Sequence, residues 1–179
     1  MQLWILAIIL LGFPSASWAK SPPELAIFLD KPSVATYEVF REQLDVCDCR
    51  EKYQISSGDV VRLVALVMKQ DRQAIDIAFM VRQNLGGGDL EDIDKTLGHI
   101  ADVRPTRFLY EVKKWRMETN GIHDIVSALP DDVVDDKERR IQLIQSRIAS
   151  LSRVDKPELI SIRVEAVHSL ENYLSQLKD

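Results

Sequence analysis

From Val60 to Leu177 the apolar residues recur three and four positions apart, segment after segment, and nowhere alternate as strand residues do. That period confines the chain to an all-α fold. Ser33 can cap a helix over Val34–Leu44, with Tyr37, Phe40 and Leu44 on one face. Ser56 or Ser57 opens the next, which carries Val60, Leu63, Val64, Val67 and Met68. Asp71 caps a third, with Ala74, Ile75, Ala78, Phe79 and Arg82 along one side, and Leu85 and the glycines after it end that helix.

Asp89 is the expected cap of a fourth helix bearing Leu90, Ile93, Leu97 and Ile100. Pro105 suits the first turn of a fifth, whose Phe108, Leu109, Val112 and Trp115 face inward. A short sixth runs over Ile122–Leu129. Asp135 and Glu138 have capping-box spacing ahead of Ile141, Ile144, Ile148 and Leu151. Lys156-Pro157 begins the last, with Leu159, Ile162, Ala166, Leu170, Tyr173 and Leu177. The expectation is seven to eight helices paired antiparallel, preceded by KSPPELAIFLDKP as a linker.

Three segments place a glycine ahead of such a stripe: Gly58 with Val60, Leu63 and Val67; Gly88 with Leu90, Ile93 and Leu97; Gly121 with Ile122, Ile125 and Leu129. Each is followed by a second helix, so a helix–turn–helix unit recurs over 58–85, 88–117 and 121–153, with the terminal helix 157–177 beyond them. The Gly-Asp pairs Gly58-Asp59 and Gly88-Asp89 mark the first two units; the third departs from them with Gly121-Ile122. Over Gly58–Arg153 the sequence resembles HEAT-type and related α-solenoid repeat proteins, although HEAT units are usually longer. The resemblance implies a short right-handed helical array and a habit of binding other proteins.

The first 19 residues contain no charged side chain, and Leu3–Phe13 is almost wholly apolar before Pro14. Ser17-Trp18-Ala19 then places small residues around a cleavage point between Ala19 and Lys20. This is the layout of a secretory signal peptide, although the start lacks Lys or Arg. The run is shorter than the roughly 20 apolar residues of a spanning helix, so no stable membrane span is expected after cleavage; a retained N-terminal anchor is the alternative. The expected localisation is exported, periplasmic or secreted, with 20–179 as one helical domain.

Every charged residue lies beyond that segment, and the chain carries a net charge of −5. An acidic protein gains nothing electrostatically from nucleic acid or anionic lipid, which removes both as main partners. The two cysteines, Cys47 and Cys49, are too few to staple a small scaffold. At i and i+2 of a helix they point roughly 200° apart. Where the helix ends they form a candidate disulfide in an oxidising compartment, closing a very small loop; a thiol switch or soft-metal pair is the functional alternative.

The stretch NLGGGDLEDIDKTLG puts Gly86, Gly87 and Gly88 before a helix, as phosphate loops do. Asp89, Glu91, Asp92 and Asp94 follow at once and would repel a phosphate, no GK[ST] follows, and the reading is a structural turn. Neither DLEDID nor DDVVDDKE fits the oxygen spacing of a calcium loop. His99, His123 and His168 fall on three helices without a metal-ligand pattern, and the pair His123-Asp124 has no nucleophile beside it in sequence. In YEVKKWRMETN, Val112 and Trp115 share the side of Phe108, which leaves Lys113, Lys114 and Arg116 on a solvated basic face.

No motif therefore asks for a cofactor or a metal, and no catalytic residue is assigned. The first functional reading is an exported, non-enzymatic protein-binding module, in one version an inhibitory or immunity-type partner of an envelope-acting protein. The alternatives are a small envelope enzyme acting on glycan or peptide, and a redox-responsive module built on Cys47 and Cys49. A deep polar pocket holding His123 or a buried acid pair would favour the enzyme.

Overall fold

The computed structural model describes residues 21–47 and 55–178. Among these residues there are nine α-helices and no strand: α1 (Pro23–Asp30), α2 (Val34–Cys47), α3 (Ser57–Met68), α4 (Arg72–Arg82), α5 (Gly87–Val103), α6 (Pro105–Lys114), α7 (Thr119–Ser127), α8 (Lys137–Ser152) and α9 (Ile160–Lys178). The all-α expectation holds, with one helix more than the sequence suggested. The extra one is α1, which the two prolines disguise as a linker. Pro23 occupies the first turn, where its missing N–H costs nothing, and Leu25 and Phe28 are fully buried.

Local chemistry explains most helix starts. The Ser33 hydroxyl accepts from the Thr36 N–H at 3.2 Å, and Asp71 accepts from Ala74 N–H at 2.8 Å. Two expected caps shift. The α8 cap is Asp136, which accepts from Arg139 N–H at 3.0 Å, and not Asp135. The α5 start is capped by Gly86 without a side-chain bond, while Asp89 instead accepts from the Ser57 hydroxyl at 2.7 Å and ties α5 to α3. Gly87 takes φ +58° at this turn, the conformation that favours glycine. Two other turns reach the left-handed region without glycine, at Gln70 and Arg116. The Gln70 side chain is held there by Arg104 Nε at 2.6 Å.

The helices pack in two rows. On one side α3 lies against α1 and α5, α5 against α7, and α7 against α9; on the other α4 touches α6, and α6 touches α8. Neighbours α3 and α4, and α5 and α6, pair directly, whereas α8 packs on α5 and α9. Helix α4 is enclosed, with every residue from Ala74 to Val81 buried. One contiguous core runs from Leu25 to Leu170. The last helix covers only part of its second apolar row, because Ile160 and Val164 stay exposed.

Candidate functional site

The run Ala74–Val81 is apolar except for Asp76, and this carboxylate sits only 2% exposed in the middle of α4. An isolated charge there would be costly. Asp76 is instead a hub. Its Oδ1 accepts from Lys114 Nζ and from the Trp115 indole N–H at 3.0 Å, its Oδ2 accepts from the Tyr37 hydroxyl, and Arg41 Nη1 lies 3.9 Å from Oδ2. Trp115 is flanked by cations, with Arg41 at 5.5 Å and Lys114 at 5.2 Å from its ring centroid. Thus α2, α4 and α6 meet through one side chain. Lys114 is therefore not part of a purely solvated face.

A second carboxyl, Glu111 of α6, is also 2% exposed. It pairs with Arg107 one turn earlier, and the same Arg107 Nη2 reaches the Arg72 carbonyl at 3.2 Å. Glu111 lies beside Asp76, near enough for the charge of one to act on the other. The Glu111 Oε2 is buried without a hydrogen-bond partner. Burial pushes the Glu111 carboxyl up to about 7, the neighbouring Asp76 charge adds to the rise, and Arg107 and Lys114 only partly offset it. Burial raises Asp76 as well, but the bonds from Lys114 and Tyr37 and the Lys114 charge outweigh it and hold Asp76 below the usual carboxylate range. Burial, and then the bond to Asp76, drive the Tyr37 hydroxyl above its ordinary value.

These groups floor a cleft of about 630 Å³ between α2, α4 and α6. Val34, Tyr37 and Tyr110 supply aromatic and aliphatic wall; Glu38, Arg72, Gln73, Arg107 and Lys114 supply the polar rim. The Tyr110 hydroxyl is anchored by donating to Glu158 at 2.5 Å.

Chemically, the site sets two buried carboxyls side by side with opposite shifts, Glu111 raised and Asp76 lowered. Both Asp76 oxygens accept from protein donors, Oδ1 from Lys114 and Trp115 and Oδ2 from Tyr37. The buried acid pair named as the enzyme's signature is present, and its Asp76 also ties α2, α4 and α6 together.

The other sequence candidates do not converge on this cleft. Gly86–Gly88 form the α4–α5 turn. Asp94 is buried against Arg82 Nε at 2.6 Å, and Asp124 lies 3.4 Å from the same guanidinium. The His123 ring packs edge-on to Tyr173 at 6.4 Å, and His168 Nε2 lies 3.3 Å from the Asn172 amide. Among the described residues no group of three or more His, Cys, Asp or Glu is placed to hold a metal ion, and no helix is long and apolar enough to cross a membrane. Cys47 ends α2; Cys49, and with it the proposed bridge, lies outside the described residues, as do Ala19 and Lys20. Sequence reading missed Asp76 and Glu111, although a lone carboxylate in the eight-residue run AIDIAFMV is itself the signal. No protein-family model, no curated protein and no solved structure matches the chain.

Proposed function

We propose that the chain is an exported, non-enzymatic protein-binding module, a short HEAT-like right-handed array of helical hairpins that receives its partner on the α2/α4/α6 face. The observation that carries this reading is the cleft of about 630 Å³ on that face, roofless and polar-rimmed, over carboxyls already engaged by their own neighbours. The two-row packing of α3–α7 supports the repeat architecture, and stacked hairpins offer such a face for binding. Export rests on the uncharged apolar start of the sequence. An inhibitory or immunity-type role toward an envelope-acting protein is one concrete form of the reading, by analogy of class.

The test is affinity capture from envelope and culture fractions with tagged wild-type chain beside Arg72→Glu. The expected result is one stoichiometric protein held by wild type and lost with the variant. Equal capture by both would place the partner elsewhere, and no capture by either across growth conditions would overturn the module.

A second reading, an envelope enzyme acting on glycan or peptide, is favoured by one observation: two carboxyls, Asp76 and Glu111, line the cleft at only 2% exposure each. It requires hydrolysis of cell-wall glycan or of peptide that disappears in both Glu111→Gln and Asp76→Asn while the variants remain folded.

A further inference from the structure

Two tyrosine rings are pinned at the cleft. The Tyr37 hydroxyl is held by Asp76 and the Tyr110 hydroxyl by Glu158, yet the Tyr110 side of the cleft stays open, with that residue 40% exposed. An exposed ring fixed by its own hydroxyl is a platform. Its face is apolar and weakly negative, so it attracts the C–H groups of a ligand laid flat on it. Val34 extends the apolar wall on the α2 side.

Around these rings the polar lining is balanced. It holds three cations, Arg72, Arg107 and Lys114, and three carboxyls, Glu38, Asp76 and Glu111, so neither an anion nor a cation is favoured. Lys114 is spent on Asp76, and Arg107 on Glu111 and the Arg72 carbonyl. Left over are the Arg72 guanidinium, the Gln73 amide and the Glu38 carboxylate, none of which makes a hydrogen bond or ion pair among the described residues. The first only donates, the last only accepts, and the amide does both. A ligand that answers all three must donate and accept from neighbouring groups while carrying no net charge. Adjacent hydroxyls on a carbon ring do that. The α6 wall repeats the mixture, since Arg107, Glu111 and Lys114 alternate donor and acceptor at about one-turn spacing. A zwitterion needs its two poles answered at two separate ends, which this alternation does not offer.

We propose that this cleft is a binding site for a neutral saccharide, whose ring lays its C–H face on Tyr110 while its hydroxyls bridge Arg72, Gln73 and Glu38. The cleft, of about 630 Å³, lies in the size range of small-ligand sites, roughly 300–1,000 Å³. The inference concerns binding alone and goes beyond the module reading, which asks only that this face receive a protein. Because the ligand is uncharged, its affinity is insensitive to salt, whereas an ionic ligand held by the same side chains would be screened.

The experiment is an NMR titration of the isotope-labelled, purified chain with maltose and with N,N′-diacetylchitobiose, read at the residues lining the cleft. Triglutamate, trilysine and glycylglycine serve as the anionic, cationic and zwitterionic controls. Expected are saturable shifts with at least one of the two sugars, the same affinity at low and high salt, and none with the controls. Expected too is several-fold weaker binding in Tyr110→Ala, which removes the platform, and in Arg72→Ala and Glu38→Ala, whose exposed side chains make no hydrogen bond or ion pair among the described residues. No saturable shift with either sugar, binding indifferent to all three substitutions, or a control bound more tightly than the sugars would each overturn the proposal. A protein captured through Arg72 with no sugar bound would leave the module standing and remove the saccharide site. Sugar binding with no captured protein would do the reverse.

Discussion

Two of the arginine–carboxylate centres among the described residues are finished to different degrees. At the junction of α5, α7 and α8, Arg147 is 1% exposed and each of its three nitrogens is hydrogen-bonded. Nε and Nη2 clasp Asp102 at 2.8 Å each, and Nη1 serves the Val126 and Ala128 carbonyls at 2.6 and 2.9 Å. Under the α2/α4/α6 cleft, by contrast, Arg41 Nη1, Arg107 Nε and Glu111 Oε2 are buried without a hydrogen-bond partner. A completed network fixes a fold; an incomplete one bordering a cleft is where an added ligand or a moving proton can change the balance.

The contrast breaks most readily at Arg147. Arg147→Ala leaves Asp102 and two carbonyls unpaired, and should cost about 3–5 kcal/mol in denaturant unfolding. Arg147→Lys should recover only part, since an ammonium cannot fork onto a carboxylate. A loss below about 1 kcal/mol would remove the centre's structural role.

At the cleft the large effect appears only with pH. The folded Glu111 carboxyl sits near 7 against an ordinary 4.5, so its contribution is fully present below pH 4.5 and is lost as pH rises through 7. A shift of this size corresponds to about 3 kcal/mol between those limits. Glu111→Gln should flatten the decline expected in wild-type melts between pH 5 and pH 8. Asp76, held below its ordinary value, works with the opposite sign and withdraws its support only as pH falls through the acid range. An unchanged pH profile in Glu111→Gln would place the proton elsewhere.

Smaller effects sharpen the comparison. A Cβ on Gly98 would lie 2.9 Å from the Ile125 carbonyl and 3.0 Å from Arg147 Nη1, so Gly98→Ala should cost about 1–3 kcal/mol by forcing α5 from α7 and α8. Gly88, on the same helix with nothing within 4 Å, should accept Ala without loss. The smallest change is expected for Arg72→Ala, within about 0.5 kcal/mol of wild-type stability in denaturant unfolding.

Much of the fold was legible residue by residue. Ser33, Ser56, Asp71 and Pro105 stand where helix starts require them, and Ile93, Leu97 and Ile100 are buried as their spacing demands. Legibility failed where a residue belongs to two patterns. Pro22-Pro23 looks like a linker and opens a helix; Arg147 occupies a core position between Ile144 and Leu151 where an apolar side chain is expected. The site was harder still. Asp76 announces itself by its apolar neighbours, but Glu111 looks like any helix-surface acid until α4 is packed against it.

By itself the sequence determined the helical class, most helix starts and the apolar stripes, because these follow from contacts within about one turn. Only the tertiary structure decided which charges are buried and what satisfies them. Tyr37 and Asp76 are 39 residues apart, and Arg147 and Asp102 are 45 apart. Partnerships over such distances exist only once the helices have packed, since no local period records which face of one helix will meet another.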